Sequence, residues 1–73
     1  EINILVGESF QNRGFATLML SRSLEFAKLE LSAEEVRATI HTDNITSMQL
    51  FIKMNFLSIS KIEDVFQEYG IYL

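Results

Sequence analysis

Cysteine, proline and tryptophan are absent from the 73 residues, and histidine occurs once, at His41. Without cysteine there is no disulfide staple, no thiolate metal site and no thiol nucleophile. One histidine alone cannot build a multi-histidine metal centre, and no metal is expected. No apolar run approaches membrane-spanning length and nothing reads as a signal peptide, so a membrane partner is not expected. Cations are scarce: six Lys and Arg stand against ten Asp and Glu, a net charge of −4. That balance argues against nonspecific nucleic-acid binding and reads as ordinary solvated surface. The cytoplasm is the expected location. No linker, low-complexity stretch or internal repeat divides the chain, so residues 1–73 are read as a single small domain. A domain of that size buries a marginal core.

What is present is clear periodicity. Ile2, Ile4 and Val6 alternate as in a strand, with Asn3 and Leu5 on the other face. Residues 17–31 carry Leu20, Leu24, Ala27 and Leu31 as a helical stripe. Residues 36–41 alternate again, with Val36, Ala38 and Ile40 on one side. Thr42-Asp43-Asn44 reads as a helix start, because short polar side chains accept hydrogen bonds from first-turn N–H groups. Leu50, Phe51 and Met54 give that second helix its apolar side, and Asn55 suits its end. Residues 56–62 and 68–73 read as two strands joined by the acidic Glu63-Asp64 connection. The fold class is therefore α/β: a mixed sheet in the order β-α-β-α-β-β. Two right-handed crossovers in one direction place both helices on one face. The other sheet face is then bare unless something covers it.

The segment between the first strand and the first helix carries the chemistry. It contains Gln11, Asn12, Arg13 and Gly14. A strand feeding a turn into a helix gathers N–H groups at the positive end of the helix dipole, an arrangement that holds phosphate. Gly14 is read as permitting close ligand approach or a left-handed turn. The P-loop pattern fails, since no Gly-Lys pair exists, and the dinucleotide pattern fails, since only Gly7 and Gly14 lie nearby.

What remains, Gln11-x-x-Gly14-x-Ala16, resembles the Q/R-x-x-G-x-G/A motif of the GNAT superfamily of N-acetyltransferases. Twenty-eight residues on (44 − 16), Asn44-Ile-Thr-Ser47-Met-Gln-Leu-Phe51-Ile-Lys53-Met-Asn55-Phe56 is similar to that family's N-x-x-A/S-x-x-x-Y-x-K-x-G-F. Phe51 stands in place of the tyrosine and Asn55 in place of the glycine. The resemblance spans nearly the whole chain and implies the C-terminal half of a GNAT fold, opening in its fourth strand.

By resemblance, the cofactor is acetyl-CoA, the acetyl donor, and the acceptor is a small-molecule or peptide amine. Leu5 and Val6 would offer backbone groups to pantetheine where the family's fourth and fifth strands splay. Gln11, Asn12, Arg13, Gly14, Phe15 and Ala16 would surround the pyrophosphate. Asn44 would bond the pantetheine arm or serve as a plain helix cap. No catalytic residue is assigned: Phe51 has no hydroxyl, Glu1 and Glu8 occupy no evident base position, and His41 lacks a visible partner. Tyr69, Tyr72 and the Glu63-Asp64 connection are candidates to line part of an acceptor pocket. A homodimer, or a partner chain supplying the missing half, is expected to cover the first strand's edge and the bare face. Two further readings stay open: a weak or inactive CoA-binding module, and a small α/β interaction domain.

Overall fold

Strand periodicity places Ile2, Ile4 and Val6 on one side of an extended segment, and the same rule places Val36, Ala38 and Ile40 together. In the computed structural model, which describes residues 1–6 and 13–73, these two sets lie side by side. The elements are β1 (Ile2–Val6), α1 (Arg13–Leu29), β2 (Glu35–His41), α2 (Ile45–Lys53), β3 (Leu57–Ile62) and β4 (Phe66–Tyr72), in the expected β-α-β-α-β-β order. They form one four-stranded mixed sheet in the order β1-β2-β4-β3. β1 runs parallel to β2, whereas β4 lies antiparallel between β2 and β3.

Register aligns the apolar faces. Ile2 pairs with Val36, Ile4 with Ala38 and Val6 with Ile40. On the far side of β2, Tyr69 sits opposite Ala38 and Ile71 opposite Val36. Ala16, Leu20 and Ala27 of α1 join Leu50 and Phe51 of α2 in one core cluster with this face. Both helices therefore cover the same side. The centre of the core is β2, where Ile40 is 0% exposed.

Three boundaries differ from the periodicity reading by two residues or more. Helix α1 begins at Arg13 rather than at residue 17. No described glycine has a positive φ, so Gly14 does not make a left-handed turn, and the helix runs through it. At the other end Ser32 takes φ 54° and the Ala33 N–H donates to the Ala27 carbonyl at 2.9 Å. The chain leaves the helix there, and Leu31 is exposed rather than part of the stripe. Ala16 takes the apolar position at the helix start instead. Strand β4 begins two residues early, because Glu63 and Asp64 both have positive φ and the Val65 N–H donates to the Ile62 carbonyl at 3.1 Å. That geometry suits a tight hairpin, whose central residues must be left-handed to match strand twist.

Helix α2 is capped at both ends. Asn44 is its N-cap: Asn44 Oδ1 accepts from the Ser47 N–H at 3.3 Å. At the C-terminus Asn55 takes φ 72°, its N–H donates to the Ile52 carbonyl, and the Phe56 N–H donates to the Phe51 carbonyl, both at 3.0 Å. This is a Schellman closure with asparagine doing what glycine usually does. The accompanying apolar contact is the Phe51–Phe56 ring pair, edge to face at 4.9 Å.

The helix-free sheet face is not uniformly apolar. Arg37 lies on it, its Nε 3.1 Å from Glu35 Oε2 and 3.5 Å from Glu1 Oε1, its Nη1 3.2 Å from Glu68 Oε1. The bond to Glu35, followed by Coulombic attraction from the same carboxylate, pushes the guanidinium pKa up. Exposed apolar side chains flank it, Leu5 on one side and Leu57, Ile59 and Ile62 on the other, with Tyr72 at the end of β4. Ile59 crosses Gly70 closely enough that a Cβ there would sit 2.7 Å from Ile59 Cδ1.

Candidate functional site

Parallel strands with in-register ends bring their carboxyl termini to one edge of the sheet. Here Val6 and Ile40 are partners, so β1 and β2 end level with each other. The helices that follow both return toward the strands' starting edge, so α1 and α2 both begin at this edge. Open α/β sheets hold ligands at such carboxyl ends, and helix N-termini favour anions. The pairing itself brings Leu5, Val6, the opening turn of α1 and Asn44 to one place.

The expected site residues are placed as follows. Leu5 is exposed and pairs in register with Thr39, and Val6 is buried opposite Ile40. The strands stay paired through Val6, so any splay between them begins beyond it. Gln11 and Asn12 lie outside the described residues, as does the side chain of Arg13. Arg13, Gly14, Phe15 and Ala16 form the first turn of α1. Gly14 and Phe15 face outward, while Ala16 is buried against the core. Asn44 is buried, with its own N–H donating to the His41 carbonyl at 2.8 Å and its Oδ1 committed to the cap. The capping role is thus realised.

A feature that periodicity did not reveal is a crevice of about 140 Å³ lined by Thr17, Gln49, Leu50 and Lys53. It brings the cation near the end of α2 beside the second turn of α1. The residues are more than thirty positions apart (49 − 17), so no local pattern joins them.

A family model described as an acetyltransferase (GNAT) domain matches residues 1–57. The chain belongs to the GNAT family. An N-alpha-acetyltransferase of Saccharolobus solfataricus is 25% identical over 67 residues, covering 92% of this chain and 40% of that protein. The chain thus spans well under half the length of that relative. No solved structure matches it.

Within this GNAT domain, the departures from the family pattern acquire physical meaning. Asn55 replaces glycine at no structural loss, since its backbone is left-handed as the closure requires. Phe51 is 2% exposed and packs on Phe56, a core aromatic with no proton to give. His41 Nδ1 accepts the Asp43 N–H at 3.1 Å, and its ring meets Phe66 edge to face at 5.4 Å. That bond engages the Nδ1 lone pair with the backbone. Glu1 lies at the opposite end of β1, roughly 16 Å from Val6 by strand rise, and pairs with Arg37. Glu8 lies outside the described residues.

The acceptor-lining candidates divide. Tyr69 is buried in the core, and burial pushes its phenol pKa up. Tyr72 is exposed and lines, with Glu35, Leu57, Ile59 and Gly70, a cavity of about 390 Å³ on the helix-free side. Glu63 and Asp64 form the exposed hairpin turn.

Ser47 occupies the A/S position of the motif. It is fully buried, and its Oγ has no hydrogen-bond partner among the described residues. An unpaired buried hydroxyl costs about 1–3 kcal/mol, so the position selects for small volume rather than polarity. Ser47→Ala is expected to raise stability by about 1 kcal/mol, read as a higher urea midpoint with unchanged slope. A lowered midpoint would show that the hydroxyl has a partner.

Proposed function

We propose that this GNAT domain binds acetyl-CoA at the carboxyl ends of β1 and β2 and serves acetyl transfer to an amine. The observation that supports this reading is the convergence of two helix N-termini on the ends of a parallel strand pair, with Gly14 outward-facing on one helix and Asn44 opening the other. In this reading the first-turn amides of α1 and the side chains of Gln11, Asn12 and Arg13 hold the pyrophosphate. Gly14 presents no side chain to obstruct it. Leu5 and Val6 offer backbone groups along the pantetheine arm. When bound, acetyl-CoA supplies an activated thioester.

Transfer also requires a group to take the amine proton and one to protonate the departing thiolate. Phe51 can do neither, and His41 is committed to the Asp43 N–H. This favours a second reading, in which the chain by itself binds CoA but turns over slowly or undetectably. Titration calorimetry with CoA, and a radiolabel screen of polyamines, aminoglycosides and peptide amines with acetyl-CoA, separate the two. Binding with little transfer is the expected result. Ordinary enzyme turnover would refute the second reading and call for Phe51→Tyr to test whether water already serves as the acid. No CoA binding would refute the first.

A further inference from the structure

We propose that the crevice between α1 and α2 receives the 3′-phosphate of the CoA nucleotide, with Lys53 as its cation. The proposal rests on the acetyl-CoA reading above and extends it to the far end of the ligand. The crevice measures about 140 Å³ and is lined by Thr17, Gln49, Leu50 and Lys53. At about 30 Å³ per water, it has room for a tetrahedral anion. Leu50 is buried, Thr17 half-buried, and Gln49 and Lys53 exposed, so the polar groups lie toward its mouth. An ammonium, a hydroxyl and a carboxamide can all donate to an anion. No carboxylate stands among these lining residues.

The position follows from helix geometry. Thr17 comes three residues after Gly14, so it lies on the same side of α1, one turn or about 5 Å further on. Gln49 and Lys53 are four apart in α2 and line the crevice from one side of that helix. CoA carries two anionic groups at its nucleotide end. The pyrophosphate sits on the 5′ oxygen of the ribose and a phosphomonoester on the 3′ oxygen, one sugar ring apart. That span is comparable to a helical turn. With the pyrophosphate on the first-turn amides of α1, the second phosphate comes within reach of the crevice.

A lysine in the last turn of α2 also complements the helix dipole, and a cation on any side of that turn would do so. Lys53 is set apart by lining the crevice beside Thr17 and by forming no ion pair among the described residues. The other cations whose side chains are described are placed elsewhere. Arg37 is held by carboxylates on the helix-free face, Arg22 and Lys28 lie further along α1, and Lys61 lies on β3. A chain of net charge −4 offers a phosphate no general attraction, so a second anionic group needs a local cation.

Titration calorimetry of the protein with CoA and with dephospho-CoA, which lacks only the 3′-phosphate, tests the assignment. Wild type is expected to bind CoA about tenfold more tightly at low ionic strength, with the gap narrowing as salt is added. Lys53→Gln is expected to close the gap by weakening CoA alone, and Lys53→Arg to keep it. Lys61→Gln is expected to change neither affinity. Lys53 is exposed, so its replacement leaves the fold intact, as circular dichroism would verify. Equal affinity of wild type for the two ligands would overturn the proposal and leave the acetyl-CoA reading standing. So would a gap that survives Lys53→Gln, or a Lys53→Gln variant that weakens both ligands alike. Binding of neither ligand would overturn both.

Discussion

Gly14→Val is expected to weaken CoA binding about ten- to a hundredfold while leaving helix content unchanged. The site lies in the first turn of α1, faces outward and has ordinary helical backbone. Valine can adopt that backbone, and its helix propensity is no worse than that of glycine. The fold therefore has no reason to lose stability. What changes is the approach to the helix amides, since a branched side chain holds a phosphate away from them. Losing one charge-assisted hydrogen bond of about 1.5–3 kcal/mol accounts for an effect of that size. Calorimetry of the variant, alongside far-ultraviolet circular dichroism, measures both quantities. Unchanged affinity would remove the α1 turn from the site, whatever else binds CoA.

Ile40→Ala is the largest expected effect on stability, a loss of about 2–5 kcal/mol. Ile40 is wholly buried on the inner strand β2, opposite Val6 on one side and Gln67 on the other, and belongs to the core cluster shared with both helices. A chain of this length has a stability of roughly 4–11 kcal/mol, so the variant loses a large share of it. Urea titration of wild type and variant gives the difference. By contrast, Leu57→Ala on the exposed strand β3 is expected to stay within about 0.5 kcal/mol. If the two variants shifted the midpoint equally, the placement of the core on β2 would be mistaken.

Local physics made much of this molecule legible beforehand. The alternation of Val36, Ala38 and Ile40 marks the buried face of β2 because strand side chains have a period of two. Asn44 and Asn55 mark both ends of α2 because a capping oxygen and a left-handed residue are each needed within one turn. The second GNAT motif was legible for the same reason, since residues 44–56 span a cap, its helix and the closure that ends it. The start of α1 was misread because glycine in a helix looks like glycine in a turn when only composition is visible. Gly14 is helical since nothing at its position requires a positive φ. The Leu31 position was misread because a helical stripe continues on paper past the point where Ser32 turns the chain away.

The sequence by itself determined the order of elements, the inward faces of β1, β2 and the helices, the caps of α2 and the residues that resemble a CoA-binding turn. All of these depend on neighbours within about one helical turn or two strand positions. Only the tertiary structure decided that β4 enters between β2 and β3, and that Val6 and Ile40 end level, so that two helix starts share one edge. It also decided that Arg37 gathers Glu1, Glu35 and Glu68 onto the helix-free face, which is therefore charged at its centre. Periodicity states which side chains share a face. It carries no information about which strands are adjacent or in what register, because that choice is made by packing between segments far apart in the chain.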